Sequence, residues 1–333
     1  MRAFICGVKG LVLDDEERAF LRETSPWGAI LFRRNVESPK QVARLTEEIR
    51  AALGRNAPIL VDQEGGRVQR LTTPHWPAYP CAARFESAGD SPEAAERLAW
   101  LGARLIAHDL RAVGIDVDCL PVLDTPAAES HAIISDRAYS RHPADVGRLG
   151  RAAAEGLMAG GVAPVMKHIP GHGRARADSH LELPVVDAPR AELERIDFPP
   201  FRANADLPMA MSAHVVYTSI DPTAPGTWSK TVVNEIIRRD IGFDGLLMTD
   251  DLSMKALTGD FRTRAERAIA AGCDMVLHCN GDLAEARPVA EGAPELSGKA
   301  LERADRALDC VRACDALDIA AARAEFDAVF AAG

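Results

Sequence analysis

Between Ala163 and Leu183 the chain reads APVMKHIPGHGRARADSHLEL, which gathers three of its nine histidines with Lys167 and Asp178. A core has no use for that mixture, so the segment either binds something or does chemistry. Asp178 and His180 stand two residues apart, a spacing at which a carboxylate can hold an imidazole in one tautomer and raise its basicity. An imidazole that titrates near neutrality can give a proton and take it back. The plainer reading is a turn opened by Asp178 and Ser179 with a solvated His beside it. Zinc is a third reading, since His168, His172 and His180 with Asp178 supply ligand types. Their spacing matches no HExxH or other compact site, and neither a metal nor a cofactor is expected.

Other stretches carry carboxylates and arginines. GLLMTDDLSM sets Asp250 beside Asp251, and successive strand residues point to opposite sides. One of the pair then faces a ligand, while the other caps the following turn or supports the first from behind. VDQEGGRVQRL places Asp62, Glu64, Arg67 and Arg70 around Gly65 and Gly66. It is either a polar loop with surface ion pairs, which contribute little, or a clamp in which Asp62 accepts two sugar hydroxyls while an arginine donates to a third oxygen. ISDRAY offers Asp136 and Arg137 in a later loop.

These residues need a frame that brings them together, and the periodicity of the chain supplies one. Apolar runs occur near Phe4 and Ala29, in segments ending at Asp62, Asp124, His168, His214 and Asp250, and again from Cys273. They read as eight strands. Helical patterns follow most of them. SPKQVARLTEEIRAALG has Ser38 as N-cap, Pro39 in the first turn and Gly54 beyond the last. SPEAAERLAWLGARLIAHDLRAVG carries an apolar stripe of Leu98, Leu101, Leu105 and Ile106, closed by Gly114.

Strands alternating with helices in this number predict an α/β fold, a closed (β/α)8 TIM-type barrel. An open doubly wound sheet is the alternative, weakened because no GxGxxG or GxxxxGK(S/T) follows the first strand. No linker or low-complexity tract interrupts the chain, so residues 1–333 are expected to form one catalytic domain, with helices over about 296–331 packed outside. In such a barrel the C-terminal ends of the strands converge on one mouth. Asp62, Asp124, Lys167, His168, His214 and Asp250 would meet there, although each Asp taken singly is as easily a cap or turn residue.

Composition narrows the function classes. With 49 acidic against 39 basic residues the net charge is −10, the wrong sign for neutralising phosphates, so nucleic acid is not an expected partner. Seven scattered cysteines form no CxxC pair and no disulfide framework, which suits a reducing cytoplasm. The N-terminal segment makes no convincing signal peptide and no stretch approaches a membrane span. Aromatic residues are 5% of the chain, too few for extended stacking on a polysaccharide, with Trp76 and Trp228 assigned to the core or rim. Were the ligand a carbohydrate, a small pocket holding one terminal sugar by charged hydrogen bonds would fit better, and that would mean exo action.

Taken in order, VDQEGGRVQR, KHIPGHG followed by DSH, and MTDDLSM resemble the motifs of the NagZ-type β-N-acetylhexosaminidases of glycoside hydrolase family three. The resemblance runs from the first strands to at least Met254. It implies a retaining glycosidase on a (β/α)8 barrel, with Asp250 as nucleophile and His180, paired with Asp178, as general acid/base. It further implies that Asp62, Arg70, Arg137, Lys167 and His168 contact the non-reducing N-acetylglucosamine. Ile169 stands where the family's loop commonly has Phe. The implied substrate is N-acetylglucosamine β-1,4-linked to an anhydro-muramoyl peptide, cleaved by a cytoplasmic monomer during peptidoglycan recycling. Retaining hydrolysis needs a nucleophile on one face of the sugar and a proton donor near the leaving oxygen, and most glycosidases use two carboxylates where His180 would replace one. Three other readings stay open: Asp250 and Asp251 as a substrate-assisting pair, a phosphorylase in which phosphate replaces water, and a catalytically silent sugar-binding barrel.

Overall fold

Eight parallel strands close on themselves in the computed structural model, which describes residues 1–127, 134–175, 182–312 and 314–330. They are β1 (Arg2–Gly7), β2 (Pro26–Leu31), β3 (Ile59–Val61), β4 (Val117–Asp118), β5 (Ala163–Ile169), β6 (Met209–Ser212), β7 (Leu246–Asp251) and β8 (Met275–His278). Each pairs with its successor, and β8 returns to β1 through Phe4 opposite Val276 and Cys6 opposite His278. That last ladder decides for the closed barrel over the open sheet. All eight strands overlap the segments whose apolar runs predicted them, although the second begins three residues earlier, at Pro26.

Alternation along the strands separates two layers of packing. Ala3 and Ile5 of β1 point into the barrel, where they join Val165, Met209, Met211 and Met248. Phe4, Cys6 and Leu31 point the other way, into the layer between sheet and helices. Apolar residues therefore plug the barrel at its middle, and the polar strand ends are left at one rim.

The helices begin where capping chemistry places them. Ser38 accepts the N–H of Gln41 at the start of the Pro39–Leu53 helix, and Gly54 ends it at φ 66°. Ser91 accepts the N–H of Ala94 ahead of the Pro92–Arg111 helix, which stops three residues short of Gly114. Thr231–Asp240 is π-helical, a form that no periodicity in the sequence announced. The C-terminal pattern breaks into the helix Gly298–Arg306, a 3-10 turn at Asp309–Arg312 and the helix Ile319–Phe330. Between the last two, the Asp315 N–H donates to the Ala159 carbonyl and the Asp315 carbonyl accepts from Arg104, bonds that hold this connection on neighbouring elements. Trp76 and Trp228 are both buried.

Candidate active site

The C-terminal rim of the barrel encloses a cavity of about 260 Å3. Asp62, Arg70, Arg137, Lys167, His168 and Asp250 all line it, delivered by β3, β4, β5 and β7 or the loops that follow them. Asp178 and His180 lie outside the described residues. Ile30, Met211, Met254 and Leu277 also line it, so the pocket is partly apolar.

The turn after β3 places its charges with a small internal clasp. Gly65 and Gly66 adopt positive φ and let the chain double back, so that Gln63–Gly65 pairs with Val68–Gln69. The buried Gln63 side chain then accepts from the N–H groups of Arg70 and Leu71 and donates to the Leu71 carbonyl. Arg70 is thereby set facing Asp62, and its Nη2 donates to Asp62 Oδ2 at 3.0 Å.

Lys167, 2% exposed, ties this clasp to β5. Its ammonium sits 2.8 Å from Asp62 Oδ1 and 2.6 Å from Glu64 Oε1. Glu64 also takes both prongs of Arg137, each at 2.8 Å. Burial alone would raise both carboxyls, but Lys167 and Arg70 hold Asp62 far below the ordinary range, and Arg137 and Lys167 hold Glu64 at about 2. Burial opposes the charge on Lys167 as well, and the Asp62 and Glu64 carboxylates overcome it. Five charges are thus fixed before any ligand arrives. Arg67 adds a link from the same turn, donating to Asp136 at 3.0 Å.

Opposite this network lies Asp250. Its Oδ1 accepts the Asp251 N–H at 2.8 Å, and its Oδ2 stands 4.0 Å from His168 Nε2. Burial pushes the Asp250 carboxyl up, but His168, His214 and the Asp251 N–H bring it below its ordinary value. Asp251 serves the backbone instead. Its carboxylate accepts the Ser253 N–H and hydroxyl and the Cys279 N–H, and so shapes the turn after β7. His214 does not line the cavity. It is spanned between Thr227 Oγ1 and the Asp251 carbonyl, behind Asp250.

Three residues of this rim had no assigned role from the sequence. Asp124 was legible as a strand end, and it holds His168 Nδ1 at 2.6 Å. Glu64 was visible only as one charge in a polar turn, although it joins two of the cations. His172 appeared as one of three zinc-ligand types; it is 3% exposed, and burial and the neighbouring His168 lower it to about 4. Among the described residues no group of three or more His, Cys, Asp or Glu side chains is arranged to hold a metal ion.

An acid kept ionised, with one oxygen tethered and the other facing an open cavity, can attack an electrophilic carbon. A network of paired cations and carboxylates can orient several hydroxyl groups at once. Comparison with known proteins agrees with that chemistry. Residues 8–308 match the glycosyl hydrolase family 3 N-terminal domain. The chain is 41% identical over 284 residues to a β-hexosaminidase of Bordetella avium, covering 84% of this chain and 81% of that one. It is 42% identical over 281 residues to a β-hexosaminidase of Alkalilimnicola ehrlichii, covering 82% and 79%. Its fold superposes on NagZ from Neisseria gonorrhoeae, solved with N-trifluoroacetyl-D-glucosamine, with a TM-score of 0.87 at 33% identity over 98% of this chain and 97% of that one.

Proposed function

The chain belongs to glycosyl hydrolase family 3, with β-hexosaminidases among its relatives, and from that premise we propose that it is a retaining exo-β-N-acetylglucosaminidase. The observation that carries this reading is the Asp250 carboxylate, held ionised and, among the described residues, hydrogen-bonded through Oδ1, at the edge of a cavity whose other side is a preformed clamp of Asp62, Lys167, Arg70, Glu64 and Arg137. Oδ2 attacks the anomeric carbon and forms a glycosyl-enzyme, while Asp62, Lys167 and the arginines hold the hydroxyls of one sugar. His180, oriented by Asp178, protonates the departing oxygen and then takes a proton from the incoming water.

The small cavity supports removal of one terminal sugar rather than cleavage within a chain. Recognition of N-acetylglucosamine is supported by the ligand in the Neisseria relative. We assign as substrate an N-acetylglucosaminyl anhydro-muramoyl peptide, met in the cytoplasm during peptidoglycan recycling, and as working form a monomer in which residues 1–333 act as one catalytic domain.

The test is the initial rate on an aryl β-N-acetylglucosaminide beside the matching β-glucoside. Release from the first alone is expected; equal release from both, or none, overturns the sugar assignment. Asp250→Ala should abolish turnover, and a slow fluorosugar should leave a covalent adduct on Asp250. His180→Ala should lose far more on a natural disaccharide than on aryl glycosides with good leaving groups, because those need little protonation to depart. Equal losses on both would remove His180 from the acid role.

A further inference from the structure

Asp124 follows β4 and is wholly buried, and its two oxygens serve donors from two different parts of the rim. Oδ2 accepts from His168 Nδ1 at 2.6 Å. Oδ1 accepts the His172 N–H at 2.6 Å and the His168 N–H at 3.3 Å. Burial opposes ionisation here, but the His168 ring and His172 bring the carboxyl below its ordinary value. An ionised carboxylate can only accept hydrogen bonds, so His168 Nδ1 carries a proton. In the neutral ring Nε2 is then bare, and Nε2 is the atom turned toward Asp250 Oδ2. His172 is the third residue after β5, where the chain begins the long loop out of the barrel, and the Gly171 carbonyl beside it is held by the Tyr217 hydroxyl at 2.8 Å.

We propose that Asp124 is a positioning residue that sets, with one carboxylate, both the tautomer of His168 and the take-off of the loop leaving β5. The proposal rests on the sugar-site reading of the cavity only for its effect on rate. A bare Nε2 accepts a hydrogen bond from a sugar hydroxyl and leaves Asp250 Oδ2 free of a competing donor. Asparagine cannot fill both roles. With its oxygen toward the His172 and His168 N–H groups, its NH2 faces Nδ1, which must give up its proton; Nε2 then becomes a donor and competes for Asp250. With the amide turned over, the NH2 meets two N–H donors and the loop origin is released.

The experiment measures where the His168 proton sits, by 15N NMR of labelled imidazoles at a pH where the ring is neutral. Wild type should carry it on Nδ1, and Asp124→Asn should move it to Nε2. On the aryl β-N-acetylglucosaminide, Asp124→Asn should lower kcat/KM on the order of 10²-fold, the scale of a misplaced reacting group. Combined with His168→Asn, the loss should be smaller than the product of the two single losses, because the residues act in one chain. An unmoved proton in a folded Asp124→Asn, or losses that simply multiply, would overturn the proposal. If Asp124→Asn does not fold, the wild-type spectrum alone decides, and a proton on Nε2 defeats the idea. Inactivity of the wild type toward the glycoside would count against the sugar reading and leave the tautomer result standing.

Discussion

His172 is buried in a charged rim, and yet its Nδ1 has no hydrogen-bond partner among the described residues. Its folded value of about 4 lies below the ordinary 6.5, so the folded protein binds fewer protons here than the unfolded chain. The associated stability is complete above the ordinary value and is lost as pH falls from there toward about 4. The window corresponds to about 3 kcal/mol, with roughly 2 kcal/mol gone near pH 5. His172→Gln should therefore lose less stability than wild type between about pH 7 and about pH 5 when urea unfolding is followed at both. Equal losses in the two proteins would mean that His172 is not the group that titrates. Places at the cavity were legible where a charge ended a predicted strand, as at Asp62, Lys167 and Asp250. They were not legible where the role depends on a distant partner. Glu64 matters because Arg137 and Lys167 reach it from two other segments, and nothing local to EGG announces that.

At the scale of elements, the loop leaving β5 is seated against the chain leaving β4. A Cβ on Gly173 would stand 2.0 Å from the Thr125 carbonyl, and the Gly173 carbonyl accepts the Ala127 N–H at 3.0 Å. Gly173→Ala should cost about 1–3 kcal/mol through overpacking and lower activity as well, by shifting the loop away from the mouth. Gly54→Ala is the control: it has positive φ but open space, and should cost about 1 kcal/mol with kcat unchanged. Denaturant midpoints and kcat for the two variants check this, and a fully active Gly173→Ala would show that the seat is not needed. Strands and caps were readable because period and capping are local properties. The ladder of Val185–Val186 with Val216–Tyr217 was not, since two-residue strands exist only where the tertiary fold brings their backbones together. The break after Arg306 escaped notice for a similar reason: Ala159 and Arg104, which hold Asp315, lie far away in sequence.

Over the whole molecule, the C-terminal helix Ile319–Phe330 supports the site from outside the barrel. Phe326 packs on Tyr79, Phe85 and Phe330 and against the bare backbone of Gly102. The Tyr79 backbone in turn bonds Gly66 and Gln69, in the turn that carries Glu64 and Arg70. Phe326→Ala should cost about 3–5 kcal/mol and raise KM; a stability loss with KM unchanged would confine the helix to a structural part. No helix among the described residues is long and apolar enough to cross a membrane. Fold class was readable from the count of alternating elements, whereas closure required the β8 to β1 ladder. The shared cation has a consequence for how such a protein can change over generations. Lys167 from β5, Glu64 and Asp62 from the turn after β3 and Arg137 from the segment after β4 satisfy one another's charges. Replacing any one strands another in a buried setting, so the set must be inherited as a block. Drift toward a different sugar is then left to the uncharged wall, at positions such as Ile30, Met211 and Met254.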